Sequence, residues 1–262
     1  MDITSHVITD EENIKIVNLT SNILNPKYSL FSLKISNNEL HLKFNTDISS
    51  LIVINGRLEI LNDELKYVLN KLDGIHLLSK GKLINLKSEG ETLLLVGSTP
   101  ELIIDYDLTD SQDSEQAKKH DILEFSDYKV DKPWGSETWY TQNINNEPYA
   151  LKNIFMKEGF QSSLQSHKFK SETNIVIDGK AHVLYGKEAP EDESEKIDIN
   201  SLETKTYSSY DGWSNKVNEL HRVIAKTTYN AIEISTPELD DVIRWEDDNN
   251  RESGKIESEH RK

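Results

Sequence analysis

The pentapeptide STPEL occurs twice in this chain, at Ser98–Leu102 and again at Ser235–Leu239. A second matching pair lies upstream of each copy and in the same order: IVINGRLEIL, residues 52–61, reads against IVIDGKAHVL, residues 175–184. Gly56 faces Gly179, and apolar residues face apolar ones at most other positions. A repeat of this length is a duplication of a whole domain, so any fold proposed for one half must also suit the other. Ile175 follows Ile52 by 123 residues and Ser235 follows Ser98 by 137. The extra length falls in the acidic, polar run KEAPEDESEKIDINSLETKTYSSYDGWSN, residues 187–215. The duplication sets two expected domains, 1–112 and 113–262.

Both halves are built from short apolar runs bounded by Gly, Asn, Asp or Ser. YSLFSLKI, LHLKF, SLIVI, LEIL, KLINL and TLLLVG in the first half are matched by YALKNIFM, TNIVI, HVLYG and AIEI in the second. Runs of this length and composition predict an all-β sandwich or barrel in each half. The Asx-Gly pairs in Ile54–Gly56 and Ile177–Gly179 predict hairpin turns. DELKYVLNKL, residues 63–72, is the best candidate for a helix, with a shorter piece in SEQAKKHDIL, residues 114–123. Residues 107–121 read as a polar linker, and the charged end ESGKIESEHRK, residues 252–262, as a mobile tail.

Composition narrows the function classes. The 46 acidic against 30 basic residues give a formal charge of -16, which repels phosphate backbones and anionic lipid, so neither nucleic acid nor a membrane is an expected partner. No cysteine is present, which removes thiol chemistry. The start MDITSHVITDEENIK lacks the basic and apolar regions of a signal peptide, and a cytoplasmic location is the expectation.

Chemistry concentrates in the second half, where residues 159–179 read GFQSSLQSHKFKSETNIVIDG. Gly159, Gln165, His167, Glu172 and Gly179 hold the register of the first cupin motif, which this stretch resembles, with Gln165 in place of its first His. ELHRVIA, residues 219–225, offers His221 where the second cupin motif supplies one more ligand. The resemblance implies two tandem cupin barrels of jelly-roll form, and a metal held by Gln165, His167, Glu172 and His221. Residues two apart on a strand leave from one face, which suits Gln165 and His167. Two imidazoles, a carboxylate and an amide oxygen suit one divalent ion per chain, zinc first, with iron, manganese or nickel also compatible. The same offsets place Leu42, Phe44, Ser49 and Ile84 opposite those four residues, so the N-terminal copy is expected to be a degenerate, metal-free barrel.

Three stretches narrow the resemblance to the cupin-type mannose-6-phosphate isomerases: DKPWGSE at residues 131–137, SLQSHKFKSE at 163–172, and the HR pair at His221 and Arg222. No Gly-rich nucleotidyltransferase signature precedes them, so the pyrophosphorylase activity of the bifunctional relatives is not implied. NKVNELHRVIA also lacks the Pro-x-Gly and Asn that normally surround the last His, which leaves the sugar open. The resemblance implies aldose–ketose isomerisation of a small sugar phosphate in surface-carbohydrate biosynthesis, with a homodimer among the expected assemblies. Lys152 and Glu137 are the catalytic candidates, Arg222 and Lys170 the candidates for binding phosphate, and Trp134 and Trp139 cap or pack the barrel. Two other classes fit the same ligands: an iron-dependent cupin oxygenase, and a non-catalytic carbohydrate-binding bicupin. Residues 240–251, DDVIRWEDDNNR, lack the spacing of an EF-hand and read as an extended arm docked by Val242, Ile243 and Trp245.

Overall fold

The computed structural model describes residues 2–3, 5–23, 26–36, 39–62, 65–107 and 115–260. They form two compact units, one spanning residues 4–125 and the other residues 1–3 with 126–262.

In the N-terminal unit, Ser29–Ser36, Glu91–Ser98, Ser49–Asn55 and Gly74–Leu77 form the heart of a seven-stranded sheet. A second sheet, in the order Ile104–Asp107, Glu39–Phe44, Leu83–Ser88, Leu58–Asn62 and Leu65–Leu69, packs on it. Residues of both sheets, among them Leu33, Leu42, Phe44, Leu51, Leu58, Ile84 and Leu94, share one buried cluster. The C-terminal unit repeats the scheme with a six-stranded and a five-stranded sheet. Ala150–Met156, Tyr229–Ser235, Glu172–Asp178 and Gly212–Asn215 sit in one sheet, and Ile243–Glu246, Leu164–Ser166, Glu219–Ala225, Lys180–Glu188 and Glu203–Ser208 in the other. Each unit is a jelly-roll barrel, and the register repeats with the topology. Leu42 pairs with Ile84 across the first barrel as Gln165 pairs with His221 across the second.

Several local expectations fail for definable reasons. The Asx-Gly turns do not close hairpins. Ser49–Asn55 and Leu58–Asn62 belong to different sheets, as do Glu172–Asp178 and Lys180–Glu188. The turn is a corner at which the chain changes sheet, with Gly56 at φ +87° and Gly179 at φ +88°. A Cβ on Gly179 would lie 2.0 Å from the Thr228 carbonyl oxygen, so the corner needs glycine for space as well as for its dihedral. The expected helix at 63–72 is in its described part the strand Leu65–Leu69, paired with Leu58–Asn62. Pairing with a ready-made sheet edge overrides a weak helical preference. In the expected linker, residues 108–114 lie outside the described residues. Beyond them Ala117 donates to the Leu83 carbonyl and Ile122–Glu124 pairs with Gly74–Leu77. The N-terminal unit therefore extends to Phe125, past the boundary at residue 112 that the repeat suggests. Among the described residues helix is confined to three short 3-10 turns, and no helix is long and apolar enough to cross a membrane.

The tail is also ordered along its described length. Glu259 accepts from Lys132 at 2.8 Å and Arg251 at 3.1 Å, and the His260 ring meets the Trp139 ring edge-on at 5.2 Å. Burial of these ion pairs and rings at the end of the second barrel holds a segment whose composition alone suggests mobility.

Candidate metal centre and pocket

Three strands of the second barrel and the turn at residues 167–171 deliver the polar cluster at its centre. Gln165 and His221 are cross-strand partners, and the Gln165 amide nitrogen lies 3.2 Å from His221 Nε2. Glu172 opens the strand after the 167–171 turn, with its oxygens 3.6 Å from His167 Nε2 and 3.4 Å from His221 Nε2. Candidate ligand atoms of His167, Glu172 and His221 all fall within 4.8 Å of one another, and all three residues are buried. Both rings have the same orientation logic. His167 Nδ1 faces the Asp241 carbonyl and His221 Nδ1 faces the Glu219 carbonyl at 3.0 Å. A carbonyl can only accept, so each Nδ1 carries the proton and each Nε2 presents a lone pair, the arrangement that a metal-binding imidazole requires.

The residues fit a metal by an independent criterion as well. His167 Nε2 is buried and has no hydrogen-bond partner, a cost that a native core rarely tolerates unless another species occupies the space. Burial, with Lys170 nearby, holds the His167 imidazole well below its usual range and therefore neutral. Burial works to raise the Glu172 carboxyl, but nearby positive charge, Lys170 first, brings it well below its usual range and keeps the group ionised. Gln165 Oε1 accepts from Ser163 Oγ at 2.9 Å. A half-turn of the amide exchanges that oxygen with the nitrogen facing His221, so Gln165 can complete the set without moving its backbone.

Around the cluster runs a chain of buried ion pairs. Lys170 Nζ bridges Glu172 at 2.5 Å and Glu233 at 2.8 Å; Lys152 Nζ bridges Glu233 at 3.3 Å and Glu137 at 3.2 Å. Glu137 also accepts from Trp139 Nε1 at 2.9 Å. Burial pushes the Glu137 carboxyl up, yet Lys152 and Lys132 bring it down to about 2. Glu233 goes the other way, raised by burial and by the charge of Glu172. The cluster and the ion pairs line a cavity of about 820 Å³, open mouth included, to which Trp134, Trp139, Arg244, Lys255 and His260 also contribute. Polar and charged side chains converge there beside apolar ones such as Trp134, Ile154 and Met156, as at small-molecule sites.

Of the residues singled out in the sequence, Gln165, His167, Glu172, His221, Lys152, Glu137, Lys170, Trp134 and Trp139 all meet at this cavity. Arg222 does not. It leaves the opposite face of the strand from His221 and donates to Glu246 at 3.0 Å, outside the cavity lining. Two positions escaped the sequence reading. Glu233 sits in AIEI beside the repeated STPEL, on the barrel-facing side of a run that looks purely structural. Asp241 closes the 167–171 turn. Its carboxylate accepts from the backbone N–H groups of Phe169 at 2.6 Å and Lys170 at 2.9 Å, while its carbonyl orients His167. The only hint of it was the acidic pair directly after the second STPEL. The arm that follows is a true strand, Ile243–Glu246, added beside Leu164–Ser166; Ile104–Asp107 takes the same place beside Glu39–Phe44. The arm is thus a repeated element despite its divergent sequence.

In the N-terminal barrel the equivalent positions are closed. Leu42, Phe44 and Ile84 are buried in the main cluster, and Ser49 shares hydrogen bonds with Thr46 and Ser98.

Residues 118–247 match the family model described as Mannose-6-phosphate isomerase C-terminal. A comparison with curated protein sequences found no match. Among solved structures the chain is similar to procruciferin, an 11S globulin from Brassica napus, at 10% identity and a TM-score of 0.63 over 90% of this chain and 83% of that one. It is similar to oxalate decarboxylase from Lactobacillus farciminis at 11% identity and a TM-score of 0.63, over 92% and 86%. Oxalate decarboxylase from Bacillus subtilis, studied for its Mn(II) centres, aligns at 12% identity with a TM-score of 0.59, over 88% and 74%. At these identities the likeness is one of fold, and it extends over both barrels.

Proposed function

We propose that this chain, a bicupin with a mannose-6-phosphate isomerase C-terminal-type domain at residues 118–247, is a metal-dependent isomerase that interconverts the aldose and ketose forms of a phosphorylated sugar. The observation that carries the reading is the buried His167–Glu172–His221 cluster facing a cavity walled by paired lysines and glutamates. His167, Glu172 and His221, with Gln165, would hold a divalent ion, zinc in our reading. When bound, such an ion supplies Lewis acidity toward a carbonyl and its neighbouring hydroxyl.

The remaining work falls to the protein. Isomerisation moves a proton between adjacent carbons, so a group beside the sugar must take it and return it. Glu137, held at about 2, is too weak a base at neutral pH and serves to anchor Lys152. Lys152 is placed to donate a hydrogen bond to a sugar oxygen. Glu233, whose proton affinity burial raises, is the better carrier and is held in position by Lys152 and Lys170. Lys132, Lys255 and Arg244 at the cavity lining supply positive charge for a phosphate, in the place where the sequence suggested Arg222. The cavity faces away from bulk water on all sides but its mouth, which limits loss of the proton in transit.

The test is an NMR screen of hexose and pentose phosphates in D2O with metal-loaded protein. Turnover of mannose 6-phosphate or a related sugar phosphate, abolished in Glu233→Gln with metal content unchanged, supports the reading. Oxygen consumption by an iron-loaded protein that turns over no sugar phosphate would replace it with oxygenase chemistry.

A further inference from the structure

The strand Tyr229–Ser235 turns Tyr229, Ala231, Glu233 and Ser235 to one face. The neighbouring strands place Lys152 and Asn174 at the height of Glu233, and Met156 at the height of Tyr229. The Tyr229 ring packs with Trp134, Met156, Val176, Trp213 and Ala231, and the residue is 1% exposed. Tyr229 is nevertheless among the residues that line the cavity, and its hydroxyl is buried without a hydrogen-bond partner. The carboxylates of Glu233 and Glu172 are near enough to add to burial in raising the phenol well above its usual range, so the group stays an un-ionised O–H donor.

A buried phenol with an apolar ring seat and a free hydroxyl is unfavourable as a packing residue, because phenylalanine would fill the same seat without leaving a polar group unsatisfied. The duplication supplies a direct contrast. The offset that aligns the two STPEL copies places Thr92 opposite Tyr229. In the closed N-terminal barrel the Thr92 hydroxyl donates to the Arg57 carbonyl at 2.9 Å. The barrel with a cavity has the larger residue and leaves its hydroxyl free.

We propose that Tyr229 is a ligand-binding residue whose hydroxyl donates to an oxygen of the polyhydroxylated substrate at the cavity floor. It thereby selects for ligands that carry a hydroxyl or carbonyl oxygen at that point. This deepens the sugar-phosphate reading and rests on it for the identity of the probe. Tyr229 is not one of the three candidate metal ligands, so Tyr229→Phe should leave metal content unchanged.

The experiment compares wild type with Tyr229→Phe by calorimetric titration of mannose 6-phosphate and inorganic phosphate, and by urea unfolding of the ligand-free, metal-loaded proteins. The expected result is at least a tenfold loss of mannose 6-phosphate affinity, little change for inorganic phosphate, and a free protein that is as stable as wild type or more so. Equal affinity of both proteins for mannose 6-phosphate overturns the inference. A wild type that binds no mannose 6-phosphate refutes the sugar-phosphate reading instead. The unfolding arm then decides alone: a less stable Tyr229→Phe shows that the hydroxyl is bonded within the protein and overturns the inference, whereas equal or greater stability supports it.

Discussion

Replacing Phe44 with alanine separates the two barrels in a way that follows from their duplication. Phe44 lies in the N-terminal unit at the position that the repeat aligns with His167, and it is buried with Leu42 and Ile84 in the main cluster. A buried phenylalanine removes roughly 150–250 Å² from water, which at about 25 cal/mol per Å² is about 4–6 kcal/mol. The extended-chain reference makes that an upper figure, and alanine keeps a part of it, so the expected loss is about 3–5 kcal/mol, the range found for such truncations. For a unit of this size the loss corresponds to a midpoint lowered by roughly 10–20 °C. His167→Ala should behave differently. It should abolish metal binding while the metal-free barrel still folds, with a loss confined to the packing of the ring and its Nδ1 contact with the Asp241 carbonyl. Thermal unfolding followed by circular dichroism, with and without a chelator, resolves both effects. A Phe44→Ala protein with an unchanged lower transition would mean that the first barrel is open at this point, and the account of the duplication would fail.

Three further perturbations have defined outcomes. Glu137 ionises at about 2, below its ordinary 4.5, because Lys152 and Lys132 outweigh its burial. A depressed carboxyl stabilises above its unfolded value and loses that contribution as pH falls toward its folded one. The stability gap between wild type and Glu137→Gln should be about 3 kcal/mol near neutrality and close between pH 4.5 and 2; a gap in urea unfolding that stays constant over that window contradicts the assignment. Asp241→Ala frees the turn that carries His167 and Lys170, and metal titration should show affinity roughly 10–100-fold lower with the barrel folded. Removing residues 252–262 deprives Lys132 and Arg251 of Glu259 and uncovers Trp139. Tryptophan emission should shift to longer wavelength and become accessible to iodide; unaltered emission would show that the tail does not cover the ring in solution.

What the sequence reveals here is what is written locally and twice. The strands of both barrels can be read from short apolar runs, and the candidate ligands from a motif whose spacing is fixed by one turn. The strand Leu65–Leu69 escaped because Leu65, Val68, Leu69 and Leu72 fall at helical intervals, and only the edge offered by Leu58–Asn62 decides otherwise. The corner turns at Gly56 and Gly179 escaped because a left-handed glycine looks the same in a hairpin and in a crossing between sheets. Glu233 and Tyr229 escaped for a third reason. Their significance lies in their surroundings, the ion pairs with Lys152 and Lys170 for one and the cavity lining for the other, and no spacing along the chain encodes it. The order of the tail is not legible in its sequence, because its charges suggest solvent until Lys132 and Arg251 supply partners.

The central claim is that the duplicated fold keeps one metal centre, in the second barrel. Elemental analysis of metal-reconstituted protein tests it most directly, on wild type, on Glu172→Ala with His221→Ala, and on Phe44→His as a control at the aligned position. The account predicts one tightly bound divalent ion per wild-type chain, none in the double variant, and still one in Phe44→His, because Leu42, Ser49 and Ile84 supply no ligand set around it. Two equivalents in wild type, or one retained by the double variant, would contradict it.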